Sequence, residues 1–396
     1  MGDSIVKNLL SGIKVIDLTH YIAGPFCTKL MGALGAEVIK IEKPGEGDSS
    51  RKMSPFFQDK PNAEGSGWFL YLNTSKKGMT LNLKSRMGIK IFIELIRNAD
   101  VLVENFEPRV MPSLGLDYPT LEKINHKLVM TSISNFGQMG PYKDYKATEI
   151  TLLALGGMMN LLGDIGNEPL KLGGFPAQYL AGIGGFSGSM VALHHAKKTG
   201  IGQQVDVSIM ECLTACHFQD LVEYAYMHRI QKRFRRMMIF PCMNGYVSIM
   251  NHQRQWVRLP KWLGMPELLQ DPRFKTMESR RMHADELEAY ILPWIVERTK
   301  EEIYHEGQKA GNVIGYLASA EDLLKSPQLK ARGFFVDINH PATGKLSYPG
   351  MPFKLNHQSC DLTRAPLLGE HNEEILCGQL KFTKDDLVML RSNGVI

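Results

Sequence analysis

The first 210 or so residues alternate short β-branched runs with amphipathic helical patterns, a rhythm that commits a chain to a parallel sheet wrapped by helices. Ile13-Lys-Val-Ile-Asp-Leu18 reads as a strand and Ala23-Gly-Pro25 as a turn. Phe26 to Leu34 reads as a helix stopped by Gly35, and Ala36-Glu-Val-Ile-Lys-Ile-Glu42 as the next strand. Residues 13–42 thus predict one βαβ unit, right-handed as such crossovers are. Lys43 to about Gln58, rich in Pro, Gly, Asp and Ser, reads as a surface loop. The pattern then resumes with a helix from Met87 to Arg97, a strand from Ala99 to Glu104, a helix near Leu121 and a strand from Lys127 to Ile133. A helix from Glu149 to near Leu161 precedes a turn-rich piece at 163–169. A long helix from Ala177 to Lys197 follows, and the break Thr199-Gly-Ile-Gly-Gln203 leads into a strand from Gln204 to Ile209.

From about residue 225 the texture changes to shorter helices with basic and aromatic residues, and Trp256, Trp262 and Trp294 read as the core of a small domain. The expected organisation is 1–224 as the first part of a large α/β domain, 225–330 as the small domain, and 331–396 returning to the large one. With 396 residues, 44% hydrophobic and 22% charged, the chain has core enough for this, and its ordinary composition excludes collagenous or disordered classes. Six scattered cysteines read as reduced thiols rather than a disulfide framework. The alternative for Cys212, Cys216 and His217 is a metal set on one helix face; the expectation is that no metal binds. A net charge of +5 is too small to imply nucleic acid, and the run from Arg229 to Arg236 reads as a solvated connector or an ion-pairing surface. No apolar stretch approaches a membrane span, Met1-Gly-Asp-Ser4 lacks a signal peptide's basic and apolar regions, and Val6 breaks a myristoylation pattern. A cytoplasmic protein with no membrane partner is expected.

Little chemistry is legible from the residues alone. Ala23-Gly-Pro25, between a strand and a helix N-terminus, is where an anion such as a phosphate would be favoured, or it is simply a tight turn. There is no phosphate-binding G-x-x-x-x-G-K-[ST], no clean G-x-G-x-x-G, no G-x-S-x-G elbow and no H-E-x-x-H. Gly182-Ile-Gly-Gly185 lies inside a helical pattern and reads as a site of close helix packing.

Several segments read together resemble the family III CoA-transferases, the group that includes formyl-CoA and carnitine CoA-transferases and α-methylacyl-CoA racemase. They are Gly12-Ile-Lys-Val-Ile-Asp-Leu-Thr-His20, Ala23-Gly-Pro25, Gly35-Ala-Glu-Val-Ile-Lys-Ile-Glu42, Gly47-Asp48, Val103-Glu-Asn-Phe106, Ser132-Ile-Ser134 with Phe136-Gly137, Gly140-Pro-Tyr142, Thr199-Gly-Ile-Gly-Gln203 and Leu368-Gly-Glu-His371. The resemblance implies a Rossmann-like large domain built from both chain ends, a smaller domain between them, and two subunits interlocked like links. It also implies a chemistry: an Asp attacks an acyl-CoA thioester to give a mixed anhydride and free CoA thiolate, and CoA then passes to an acceptor acid. That Asp lies in a segment of the type P-x-A-D-x-x-x-G; here Phe175-Pro-Ala-Gln-Tyr-Leu-Ala-Gly182 places Gln178 at its position. Glu149 matches an acidic residue near the family's active site and, with Asp164, is the candidate for a relocated nucleophile. The bland reading of Glu149 is an ion pair with Lys146 and that of Gln178 a helix cap.

The positions implied for CoA are His20, Tyr21, Ile22 and Ala23, Lys43 where a transferase commonly has Arg, and Leu81, Lys84, Asn105, Phe106 and Lys146. Ser113 stands where an Arg often holds a CoA phosphate, and Ser cannot replace that bidentate contact. The coenzyme A thioester is expected as substrate rather than as a covalent cofactor. The two losses, at Gln178 and Ser113, imply a pseudo-catalytic subunit partnered with an Asp-bearing paralogue, as in the two-subunit branch of anaerobic aromatic breakdown that moves CoA from succinyl-CoA to benzylsuccinate. The alternatives are an active homodimeric acyl-CoA racemase or isomerase using Gln178, Glu149 or His20, and a non-enzymatic acyl-CoA binding protein.

Overall fold

The computed structural model describes residues 8–164, 166–233, 239–250, 252–356, 360 and 362–396. The first residues, read above for a leader, and the Phe234–Arg236 end of the basic run lie outside the described residues. Every strand of the large sheet is separated from the next by one or two α-helices: β1 (Lys14–Asp17), α1 (Ala23–Ala33), β2 (Glu37–Glu42), α2 (Gly67–Leu72), β3 (Lys77–Thr80), α3 (Arg86–Arg97), β4 (Val101–Glu104), α4 (Val110–Ser113), α5 (Tyr118–Ile124), β5 (Val129–Ser134), α6 (Glu149–Leu155), α7 (Pro176–Thr199) and β6 (Gln204–Ser208). All five strand pairings are parallel and the order is β3-β2-β1-β4-β5-β6. The βαβ unit predicted over residues 13–42 is present. The helix starts at Ala23 rather than Phe26, because Pro25 falls in the first turn, where a missing N–H costs nothing.

Two elements differ from the sequence reading. The strand β3 was not expected: Lys77-Gly-Met-Thr80 is short and carries a glycine, and it is ordered by pairing with β2 and by bonds from the far end of the chain. There the Thr80 N–H donates to Asn372 Oδ1 at 2.9 Å and the Gly78 N–H to His371 Nδ1 at 3.1 Å. The helix α6 ends at Leu155 instead of near Leu161, capped by Gly156 and followed by Gly157 at φ +87°.

The sheet is buried on both faces. One core joins Ile16, Leu102 and Met130 to α3, α5 and, from the C-terminal end, Ile375, Leu387 and Leu390; the other joins Val15, Val103 and Ile133 to α1 and α7. The long helix α7 approaches α1 through glycine: a Cβ at Gly182 would stand 2.7 Å from the carbonyl oxygen of Ala23. Among the described residues the contacts divide into a large unit (up to Met159, Lys171–Ile230 and Ala331–Ile396) and a small one (Asn160–Leu170 and Gln231–Lys330). The large unit continues after β6 with α8 (Ile209–Ala215) and α9 (Phe218–Met227). The small unit has an antiparallel sheet of β7 (Ile239–Cys242), β8 (Gly245–Ile249) and β9 (Ile314–Tyr316). In the core of the small unit Trp256 is buried and Trp262 meets Trp294 edge-on at 4.6 Å.

Candidate active site

Strands are added outward from β1 to β3 on one side and from β4 to β6 on the other, so the winding switches between the parallel neighbours β1 and β4, and the crevice at the carboxyl ends of those two strands is where open α/β sheets bind ligands. The segments leaving both strands meet there. The His20 N–H donates to Asn105 Oδ1 at 2.9 Å, and Asn105 Nδ2 donates to the His20 carbonyl at 2.8 Å, so one amide side chain clamps the other loop's backbone from both sides. The His20 and Phe106 rings lie 5.8 Å apart. Tyr21 occupies the left-handed region at φ +72°, a strained place for a residue with a Cβ, and its N–H is held by Asp48 Oδ1 at 3.0 Å.

Buried charges support this corner. Asp17, at the end of β1, meets Lys76 Nζ at 2.9 Å and accepts hydroxyls from Thr19 and Thr28 at 2.5 and 2.6 Å. Burial would raise its carboxyl, but Lys76 and Lys40 outweigh it and hold Asp17 at about 2; burial lowers Lys76 to about 8. Lys40 pairs with Asp48 at 2.7 Å and donates to the Thr19 carbonyl at 2.8 Å, tying the His20 loop to the loop after β2. Burial pulls the His20 imidazole below its ordinary value, against the pull of Asp48.

The cleft above has a volume of about 310 Å³, and His20, Tyr21, Ala23, Asn105, Phe106, Glu149 and Gln178 all line it, with Ser49 and Asn135 adding polar wall. Gln178, in the first turn of α7, is 6% exposed, and its side-chain amide has no hydrogen-bond partner among the described residues. It is therefore not the cap of α7; Glu149 is. Glu149 Oε1 accepts the Ala177 N–H at 2.8 Å, while Oε2 is buried without a partner. Desolvation raises the Glu149 carboxyl above its ordinary value, against the amides of α7. Removing the cap with Glu149→Ala is expected to cost about 1–2 kcal/mol by leaving the Ala177 N–H unpaired, read as a lower midpoint in urea unfolding.

The structure does not bring every expected residue into the cleft. Ile22 and Leu81 are 0 and 2% exposed, so their side chains present no surface to a ligand. Lys43 is exposed and pairs with Glu46 at 2.5 Å, and Lys84 is exposed ahead of α3. Lys146 pairs with Glu107, not with Glu149, whose carboxyl is turned to α7. The Cys212, Cys216 and His217 set does not assemble: His217 Nδ1 faces Asp220 at 2.9 Å, and no three metal-ligating groups converge among the described residues. The sequence reading missed Asp48 and Phe175, which bear on Tyr21 by its N–H and by an edge-on ring contact at 5.8 Å. The Gly47-Asp48 match was the available signal for Asp48. No helix among the described residues is long and apolar enough to cross a membrane.

The profile of CoA-transferase family III matches residues 10–372. A formyl-CoA:oxalate CoA-transferase of Streptomyces avermitilis is 33% identical over 98% of this chain and 99% of its own length. A succinyl-CoA–D-citramalate CoA-transferase of Chloroflexus aurantiacus is 31% identical over 98% of each chain. A mouse succinyl-CoA:glutarate CoA-transferase is 30% identical over 98% of this chain and 90% of its own. Among solved structures, a CAIB/BAIF family protein from Brucella suis superposes with a TM-score of 0.84 at 28% identity, covering 94% of this chain and 99% of that one.

Proposed function

This chain belongs to CoA-transferase family III, with relatives named for moving CoA between an acyl-CoA and a carboxylic acid, and from that membership we propose that it is the non-catalytic subunit of a heteromeric CoA-transferase. The observation that carries the proposal is Gln178 at the nucleophile's position, in a cleft that otherwise keeps its His20, Asn105 and Phe106 walls. The transfer needs a carboxylate oxygen to displace CoA thiolate from the thioester carbonyl, giving a mixed anhydride that the thiolate reopens as an enzyme thioester. An uncharged amide is a poor nucleophile and forms no such anhydride. The Asp is then supplied by a paralogous partner chain, with the two subunits interlocked in the cytoplasm.

Succinyl-CoA as donor is supported by the relatives named for succinyl-CoA, and a carboxylic acid such as benzylsuccinate is the proposed acceptor. The phenyl ring of such an acid suits the Tyr21 and Phe106 side of the cleft. The CoA thioester, if this chain engages it, does so with His20, Ala23, Asn105 and Phe106, and without the phosphate contact that Ser113 cannot make.

One observation favours a second reading. The free Oε2 of Glu149 faces the same cleft as Gln178 and could serve as a base in α-proton exchange or as a displaced nucleophile. The purified lone chain is expected to transfer no CoA, and co-expression with an Asp-bearing paralogue to restore transfer. Transfer by the lone chain, or deuterium entering the α-carbon of an acyl-CoA in D₂O, selects the second reading. Binding of CoA thioesters with no turnover in any combination selects a binding protein.

A further inference from the structure

We propose that Glu104 is a positioning residue for the cleft: it holds the turn from which Asn105 grips His20, and it releases that turn when it loses its proton. Glu104 is the last residue of β4 and shares the sheet face of Leu102, opposite the face covered by α7. It does not line the cleft of Gln178. It lines a second cavity of about 430 Å³ beside Tyr118, Gln138 and Gln204, so it acts on the cleft only through its neighbours. Its Oε2 accepts the Phe106 N–H at 2.9 Å, and its carboxyl accepts the Ser132 hydroxyl from the facing position on β5. Between Glu104 and Phe106 stands Asn105, whose side chain makes both bonds to the His20 backbone.

Glu104 is 3% exposed, and among the described residues no Lys or Arg pairs with it. The charged and titratable groups facing it are Asp206 from β6, Asp117 and Tyr118 at the start of α5, Arg109 beside α4, and Lys143 and Asp144 from the loop after β5. Arg109 is engaged by Glu107 at 2.7 Å. Burial raises the Glu104 carboxyl to about 7, against the Ser132 and Phe106 hydrogen bonds, and Asp206 adds to the rise. Protonated, the group accepts the Phe106 N–H and needs no counter-ion. Ionised, it is a buried charge beside another anion, and an opening that hydrates it is favoured. The sign follows from linkage: a carboxyl that binds its proton more tightly in the closed turn than in water favours the closed turn at low pH, and loses that preference as pH rises towards and past 7.

Amide hydrogen exchange of the full chain between pH 6 and 8, corrected for the intrinsic pH dependence of exchange, tests this. In the wild type, protection of the segments holding His20–Tyr21 and Phe106 is expected to fall about ten-fold from pH 6 to pH 8. Glu104→Gln keeps an acceptor for the Phe106 N–H and cannot ionise, so its protection is expected to stay near the pH 6 level throughout. Glu149, whose carboxyl also titrates high beside Tyr21, is intact in both proteins, so their difference isolates Glu104. A Glu104→Gln profile parallel to the wild type, or a wild-type profile that does not fall, overturns the proposal. A merely structural Glu104 predicts one of those two outcomes. Neither protein needs to turn over CoA for the result to count.

Discussion

A Gln178→Asp chain, assayed without any partner, is expected to move CoA from succinyl-CoA to an acceptor acid at least about 100-fold faster than the wild-type chain, which is expected at background. The expectation rests on what the cleft keeps. Gln178 sits in the first turn of a helix already anchored by Glu149, its side chain lines the cleft, and nothing in the described structure holds its amide elsewhere. Asp is shorter by one methylene and places a carboxylate near the position the family uses. Gln178→Glu, equal in length to the native residue, controls for reach: it brings the charge but at a displacement that matters where reacting atoms must come within about 3–3.5 Å. The readout is the acyl-CoA product by liquid chromatography, with trapping of the enzyme-bound acyl group by hydroxylamine. If Gln178→Asp binds the thioester and shows no gain, the wild-type defect is not confined to this residue and the proposed division of labour between subunits loses its main support.

The second large effect is on folding. Asp17→Ala is expected to destabilise the chain by about 3–5 kcal/mol, because Lys76 then remains buried after losing the carboxylate it pairs with, while Lys40 keeps Asp48. Two hydroxyls, on Thr19 and Thr28, lose their acceptor as well. The double variant Asp17→Ala with Lys76→Met removes the orphaned charge and is expected to recover part of the loss, which chemical denaturation of both proteins will measure. The wild type should also carry the pair's signature in acid. Asp17 sits at about 2 when folded against about 3.8 in an open chain, so its contribution is fully present above pH 4 and is lost as pH falls through 2. A single variant that unfolds at the wild-type midpoint would show that these charges are hydrated in solution.

Much of the fold was legible because its cause is local. The unit over residues 13–42 announces itself through β-branched strands on either side of a helix that must stop at Gly35, which stands at φ +94°. The strand β3 was not legible, since its four residues are ordered by bonds to Asn372 and His371, nearly 300 positions away. The same division runs through the site. Gln178 was found through the family resemblance, by the Ala177 before it and the Gly182 four residues after it. Of the two readings of Glu149, an acid near the active site or an ion pair with Lys146, the ion pair does not form, because Lys146 pairs with Glu107 and the carboxyl is engaged by the amide of Ala177, 28 residues on. Asp48 and Glu104 lie in matched segments, but the sequence did not show what they bond: Asp48 holds the Tyr21 N–H on another loop and Glu104 the Phe106 N–H two residues on.

By itself the sequence determined the alternating α/β architecture and, through the order of its matching segments, the family, and it put Gln178 where the resemblance implies an Asp. Only the tertiary structure decided that His20 and Asn105, 85 residues apart, share one pair of hydrogen bonds, and that Asp17 and Lys76 neutralise each other with no water between them. It also decided which of the expected residues line the cleft and which are core or solvent-facing. The reason is physical: strand and helix patterns are set by neighbours along the chain, whereas a proton's affinity, a buried charge and a cleft wall are set by whatever the fold brings within a few ångströms.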